Sequence, residues 1–282
     1  MLLVEPVYVE IPTSDSNVTK VIQLMPKFNI PKKKEPMLSE ASQEYDYSDG
    51  IKPIEHDLGM SNVPVLDQGQ YGTCVTFSST AALDARCNMG DRIDQQCTLA
   101  LSKTLGGNYW NGAYTPSQLI DPLVKYGYIE KGRCFGFNYP FPSQTVNIRK
   151  YKASSTSLFT KYVYVGEANL DKLKDAINKG SRVLIGFNIG AYASPTGVIG
   201  YNVKVDGVSK VGGLWACKQP GKPENNCINP TGGHEVLVTG YDDSQKLLKI
   251  RNSWGYTVGD NGEFYMTYEY FFSQVKDMTI IL

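Results

Sequence analysis

Cys74 lies at the end of the run Asp67-Gln68-Gly69-Gln70-Tyr71-Gly72-Thr73, just before Val75-Thr76-Phe77-Ser78. Gly69 and Gly72 permit tight turns, and Thr73 is an acceptable helix N-cap. From Cys74 to Ala85 the residues are small or apolar almost all round, which predicts a buried helix. A thiol in the first turn of a helix sits at the positive end of the macrodipole, which favours thiolate, and the unpaired N–H groups there can bind an oxyanion. A thiolate nucleophile also needs a base, a group that orients the base, and donors for the developing negative charge. The chain supplies one candidate for each. His234 follows Thr231-Gly232-Gly233 and titrates near neutral pH. Asn252 can accept from one imidazole nitrogen, and Trp254 can cover that bond. Gln68 can donate its side-chain amide to an oxyanion beside the backbone N–H of Cys74.

Taken singly, each residue has an ordinary structural role. Free cysteine is usually core packing, a lone histidine is usually a satisfied core residue, and Gln68 and Asn252-Ser253 suit turns. Four coincidences at compatible spacings are a poorer explanation than one site.

The positioning elements follow from periodicity. A second helix is expected near Asp94 to Leu105. Thr115-Pro116-Ser117-Gln118 reads as a capping box with Pro at N1, continued by Leu119, Ile120, Leu123 and Val124 and stopped by Gly127. Pro122 within it predicts a kink or a reset of the helix start, since Pro costs ~3 kcal/mol in a helix interior. Lys161 to Val165 alternates as a strand. Asn169 caps a helix bearing Leu170, Leu173, Ala176 and Ile177 on one face, closed by Gly180. Arg182 to Ile189 is a strand. Glu235 to Tyr241 and Lys246 to Arg251 form a hairpin around Asp242-Asp243-Ser244, and Glu263 to Tyr270 is another strand. A mainly helical first half and a mainly stranded second half give an α+β class with two lobes and a cleft between them.

These motifs resemble the papain-like cysteine peptidases from about Val63 to Met266. The likeness rests on Gln68-Gly69, Gly72-Thr73-Cys74, Phe77-Ser78, Gly233-His234, Tyr241-Asp242, Asn252-Ser253-Trp254-Gly255 and Gly259-Asp260-Asn261-Gly262, in the family's order Gln, Cys, His, Asn. The resemblance implies a helical left lobe, an antiparallel barrel-like right lobe and the active site between them. It implies Cys74 as nucleophile, His234 as base and acid, Asn252 as orienter and Gln68 as oxyanion donor. Gly233 and Trp254 would then border the substrate. Asn111-Gly112-Ala113-Tyr114 matches the family's substrate-binding loop with Ala113 in place of a glycine, and Gly106-Gly107 is a rival for that role. The local signature departs from the family: Tyr71 stands where a disulfide partner is usual, and Val75 where an aromatic is usual. The spacings from Cys74 to His234 and Asn252 exceed the roughly 130–150 residues typical of the family. That implies insertions, with Leu214–Pro230 the foremost candidate, and a flavour closer to bacterial members.

Bulk composition excludes other classes. The chain has 282 residues, 28 basic and 28 acidic side chains, and 41% apolar content. Balanced, interspersed charge argues against a nucleic-acid partner, and no apolar run is long enough to span a membrane. With only two histidines and no CxxC pattern, no metal is expected; nor is a cofactor. The expected partner is a peptide or protein substrate, met by a monomer. Cys217 and Cys227 bracket a Pro-, Gly- and Asn-rich loop (Lys218 to Asn226) and are the foremost disulfide candidates. Cys87, Cys97 and Cys134 could supply a second bridge, which favours a secreted or extracytoplasmic setting; no signal core is legible at the start.

Residues 1–50 differ from the rest, with a basic-and-proline run (Pro31 to Pro36), an acidic patch (Glu40 to Asp49) and weak alternation suggesting a hairpin at Leu3 to Ile11 and Val18 to Leu24. They are expected to be a mobile extension or short prosegment rather than core, packed near the cleft and limiting access. Residues 51–282 would form the catalytic domain, mainly helical over about 65–155 and mainly β over about 156–282. The reading is a cysteine peptidase, possible alternatives being an amidase or transglutaminase-like enzyme on the same site, or a catalytically silent binding module. Occupancy of all four positions argues against the last.

Overall fold

The computed structural model describes residues 7–13, 15, 18–27, 55–106, 112–134, 145–189, 199–205, 208–217, 227 and 230–282. The basic run, the acidic patch, Gly107, Asn111 and the loop 218–226 lie outside the described residues. The chain opens with strands β1 (Val7–Pro12), β2 (Thr19–Leu24) and β3 (Glu55–Asp57). Helices α1 (Cys74–Arg86), α2 (Gln95–Thr104), α3 (Ser117–Tyr126) and α4 (Ile148–Ser154) come next. Then follow β4 (Tyr162–Val165), α5 (Leu170–Asn178), β5 (Val183–Ile189), β6 (Ile199–Val205), β7 (Val208–Trp215), β8 (Gly232–Asp242), β9 (Leu247–Arg251), β10 (Glu263–Thr267), α6 (Tyr268–Gln274) and β11 (Val275–Ile281).

The main sheet has the order β4-β11-β5-β8-β9-β10-β7-β6, with β3 paired to β8. Its pairings are antiparallel except β10 with β7. Two large apolar clusters flank it. One, on the β side, holds Val183, Ile185, Phe187, Ile189, Val236, Val238, Trp215 and Phe264. The other joins the helices to the opposite face of the sheet through Ala81, Ala82, Leu83, Leu101, Ile120, Leu184, Leu237 and Ile281. The alternation of β5 thus feeds both clusters, as a strand buried on two faces must.

Local chemistry explains the element ends. Asp94, Asn147 and Asn169 accept from backbone N–H groups as caps of α2, α4 and α5. Thr73 does not cap α1: its side chain makes no cap bond, and its hydroxyl is buried without a partner. Glu263 to Tyr270 is not one strand. β10 ends at Thr267, whose hydroxyl accepts from the Tyr270 N–H and starts α6. Pro122 neither breaks nor resets α3, which runs through it. The proline cannot donate to the carbonyl of Gln118 one turn earlier, and the Ser102 hydroxyl of α2 takes that carbonyl at 2.8 Å instead. The capping box is half formed, with Gln118 Oε1 accepting from the Tyr114 and Thr115 N–H groups.

The N-terminal segment is more than a leader. β1 and β2 pair antiparallel from Val7↔Leu24 to Pro12↔Thr19, and Ile11, Ile22 and Leu24 are buried within the β-side core. Burying each such side chain contributes about 1.5–3 kcal/mol relative to exposure, which explains why this hairpin is core rather than a loose extension.

Candidate active site

α1 places Cys74 at its first position, and the thiol is buried. The backbone of Glu235 on β8 lies beside the Cys74 thiol, and its N–H, with those of Val75 and Cys74 itself, favours the thiolate. The helix start therefore abuts the strand that carries His234. Gly112 packs so close to Gly72 that a Cβ there would lie 2.6 Å from the Gly72 carbonyl oxygen. Gly112 is thus at the Cys74 loop, while Asn111 is outside the described residues.

His234 and Asn252 meet because β8 and β9 are neighbours with Leu237 opposite Arg251. His234 Nε2 lies 2.8 Å from Asn252 Oδ1. Asn252 Oδ1 also accepts from the Ser253 N–H at 2.8 Å, which fixes the amide orientation. An amide oxygen only accepts, so Nε2 carries the proton and Nδ1 is the basic nitrogen of the neutral ring. Trp254 stacks on His234 with centroids 4.5 Å apart and planes 25° from parallel, covering the bond. Trp215, not singled out from sequence, extends this aromatic cage, 6.1 Å from His234 and 6.0 Å from Trp254. A tryptophan just before a cysteine-bracketed loop carries no signal of that role in one sequence.

Gln68 is held from both ends of its amide. Its Nε2 donates to the Tyr71 carbonyl at 2.7 Å, and its Oε1 accepts from the Ser253 hydroxyl at 2.8 Å. Its backbone N–H donates to the Ser253 carbonyl at 2.9 Å. The loop before Cys74 and the segment after Asn252 are thereby stitched together, with a further bridge between Asp67 and Trp254.

The site is covered. Met25, just after β2, exchanges backbone bonds with Gly233: Met25 N–H to Gly233 C=O at 3.0 Å and Gly233 N–H to Met25 C=O at 2.8 Å. Its side chain packs in one cluster with Cys74, Val75, Ala113 and Leu119. Gln23 N–H donates to the Gln70 carbonyl at 3.3 Å. Lys20 Nζ reaches Asp67 Oδ1 at 2.5 Å and the Trp254 carbonyl at 2.7 Å. One strand therefore touches the Cys74 loop and the rim around His234 together.

Burial reverses the charge state expected from the helix dipole. It pushes the Cys74 thiol up to about 12, against the lowering by backbone N–H groups. It pulls His234 down to about 4, against the raising by the Asn252 bond. Under the strand the pair is a neutral thiol and a neutral imidazole, because desolvation outweighs the dipole. Two disulfides are present, Cys97–Cys134 and Cys217–Cys227. Cys74 and Cys87 are free, Cys74 buried and Cys87 exposed.

Comparison with known proteins agrees with this architecture. Xylellain, a cysteine protease from Xylella fastidiosa, superposes with a TM-score of 0.61 at 23% identity, covering 82% of this chain and 86% of that one. The fold is papain-like. A second papain-like structure, digestive procathepsin L 3 of Tenebrio molitor, gives a TM-score of 0.58 at 21% identity, over 83% of this chain and 71% of that one. In sequence, cysteine proteinase 2 of Entamoeba histolytica is 26% identical over 217 residues, 73% of this chain and 60% of that protein. The chain spans 40–60% of the length of the curated relatives it matches. No family model matches. Among the described residues, no helix is long and apolar enough to cross a membrane.

Proposed function

We propose that this chain is a cysteine peptidase, closest in flavour to bacterial papain-like enzymes, that works outside the cytoplasm as a monomer on peptide or protein substrates. The observation that carries the reading is the 2.8 Å bond between His234 Nε2 and Asn252 Oδ1, roofed by Trp254, with Cys74 on the adjoining helix start. The bacterial likeness is supported by the xylellain fold match, and the extracytoplasmic setting by the two disulfides.

In the mechanism, Cys74 Sγ gives its proton to His234 Nδ1 and attacks the scissile carbonyl carbon. The oxyanion is held by the Cys74 N–H and an N–H of the Gln68 amide. As the C–N bond breaks, His234 returns the proton to the leaving amine. Water, deprotonated by His234, then attacks the thioester and releases the acid, restoring the thiol. Gly233, whose carbonyl and N–H pair with Met25, offers the same groups to a substrate backbone; Gly112, Asn111 and Trp254 complete the substrate rim. The N-terminal segment acts as an inhibitory prosegment that must leave the cleft, a role also suggested by the procathepsin match.

The test is hydrolysis of an internally quenched peptide by the full chain. Cys74→Ala is expected to abolish it. Equal turnover by that variant sinks the reading.

A further inference from the structure

β7 and β8 are not neighbours in the main sheet, since β9 and β10 lie between them. Trp215, the last residue of β7, nevertheless packs against the histidine that β8 carries. Its ring centre is 6.1 Å from that of His234, with the planes 57° apart. It meets Phe187 edge-on at 5.0 Å and Trp254 edge-on at 6.0 Å. Those two rings also flank the imidazole, at 5.8 Å and 4.5 Å. Trp215 further stacks on Phe264 at 4.8 Å. Gly213 allows that stack. It stands opposite Phe264 in the parallel pairing of β7 with β10, and a Cβ there would fall 1.9 Å from Phe264 Cδ1. The phenyl ring lies over the bare backbone of β7 and meets the indole two residues on.

Stability alone does not account for an indole at this place. Trp215 is fully buried, and its Nε1 has no hydrogen-bond partner. An unpaired buried N–H costs stability that a phenyl ring would not lose. The larger ring is used instead to touch Phe187, His234, Trp254 and Phe264 together.

A covalent link ties this wall toward β8 by a route outside the sheet. Cys217, two residues beyond Trp215, is buried in the β-side core and bridged to Cys227. The Cys227 carbonyl accepts from Gln274 Nε2, at the end of α6, at 3.0 Å. The Thr231 N–H then donates to the Ile189 carbonyl at 2.9 Å as β8 begins. The bridge therefore closes the base of the connection between the strand of Trp215 and the strand of His234.

We propose that Trp215 is a positioning residue for His234 and that the Cys217–Cys227 bridge is the clamp that holds it there. The proposal rests on the peptidase reading. Trp215 touches neither substrate nor thiol. It acts through Trp254 and the imidazole, keeping the ring from turning and keeping water from the bond between Nε2 and Asn252.

The test uses the full chain carrying isotope-labelled histidine. The chain has only two histidines, so the Nε2 proton of His234 can be followed by NMR apart from His56. In Trp215→Ala, exchange of that proton with water is expected to quicken at least about tenfold, as water reaches a bond that packing excluded. Hydrolysis of the internally quenched peptide should fall at least about tenfold in kcat with KM within about twofold. Trp215→Phe leaves a small cavity and removes an unpaired N–H, so its Tm should change little. Its exchange and kcat should still shift in the same directions, at least about threefold. Cys217→Ala with Cys227→Ala keeps the indole and releases the clamp, and should move both readouts at least about twofold; if that pair does not fold, Gln274→Ala, which frees Cys227 from α6, replaces it. Trp215→Phe decides the matter if Trp215→Ala does not fold. A folded Trp215 variant that loses only Tm, with either readout unchanged, overturns the proposal. A released bridge with unchanged exchange overturns the clamp. If the unmodified chain cleaves no peptide, the peptidase reading falls instead. Proton exchange then decides alone: faster exchange in the variants sustains the positioning role, and equal exchange overturns it.

Discussion

At the scale of single residues, the geometry assigns one job per atom. His234 Nε2 faces Asn252 and leaves Nδ1 as the basic nitrogen of the ring, which the proposed mechanism turns on the thiol. In the proposed mechanism Asn252 never touches substrate; it selects the tautomer. Asn252→Ala is expected to lower kcat by about 10²-fold, the low end of what a positioned acid–base group contributes, and to leave KM nearly unaltered. A steady-state assay separates the two constants. In the same proposal Gln68→Ala removes an oxyanion donor and is expected to cost 10²–10³-fold in kcat, about 3–4 kcal/mol. Gln68→Glu, which keeps the size and loses the donor, should do no better. The four catalytic candidates were legible in the chain because each residue type does one thing in thiol chemistry and they occur in a compatible order. Thr73 was misread as a cap because its identity fits the position; its φ of −104° and ψ of 21° turn the hydroxyl away from the role.

At the scale of elements, the two surprises are Pro122 and the N-terminal hairpin. Pro122 is tolerated because Ser102 on another helix bonds the carbonyl the proline orphans. No local pattern encodes that partner, which lies sixteen residues away. Ser102→Ala leaves the part-buried carbonyl unpaired, and it is expected to destabilise the chain by about 1 kcal/mol. The same substitution combined with Pro122→Ala should cost less, since the helix N–H is restored; chemical denaturation reports both. The β1–β2 hairpin was visible as weak alternation, but its burial was not, because Ile11, Ile22 and Leu24 find their cover in strands far along the chain. Lys20 is the polar fastener of that element, joined to Asp67 and the Trp254 carbonyl. Lys20→Ala is expected to raise turnover of the full chain a few-fold, in line with the ~1 kcal/mol typical of such a partly exposed pair. Unchanged or lower turnover would count against the hairpin as a brake.

At the scale of the whole molecule, burial of the site couples covering to pH. His234 is held near 4 against an ordinary 6.5. Between those values the unfolded chain binds a proton that the buried ring does not. Stability from this group is therefore full above pH 6.5 and is lost as pH falls toward 4, by up to about 3 kcal/mol. The buried Glu235 carboxyl, held high, acts in the opposite sense, gaining stability on acidification. The difference in Tm between the unmodified chain and His234→Gln removes that opposing contribution, and it is expected to move against the unmodified chain from pH 7 to pH 5. Cys74, raised to about 12 from 9.0, costs stability only as pH rises above 9. The split into a helical and a stranded half followed from periodicity, and the papain-like fold was implied by the resemblance of the motifs and their order. A cover from residues 1–50 was expected, but not which element makes it, since that depends on β2 and Met25 meeting both the Cys74 loop and Gly233.

The central claim is that Cys74, activated by His234, is the nucleophile toward peptide carbonyls. The most direct measurement is peptide mapping by mass spectrometry after the full chain meets a peptidyl epoxide at pH 5. The account expects one adduct, on Cys74 and not on the exposed Cys87, which disappears in His234→Ala. An adduct confined to Cys87, or a Cys74 adduct that forms as fast without His234, would contradict it.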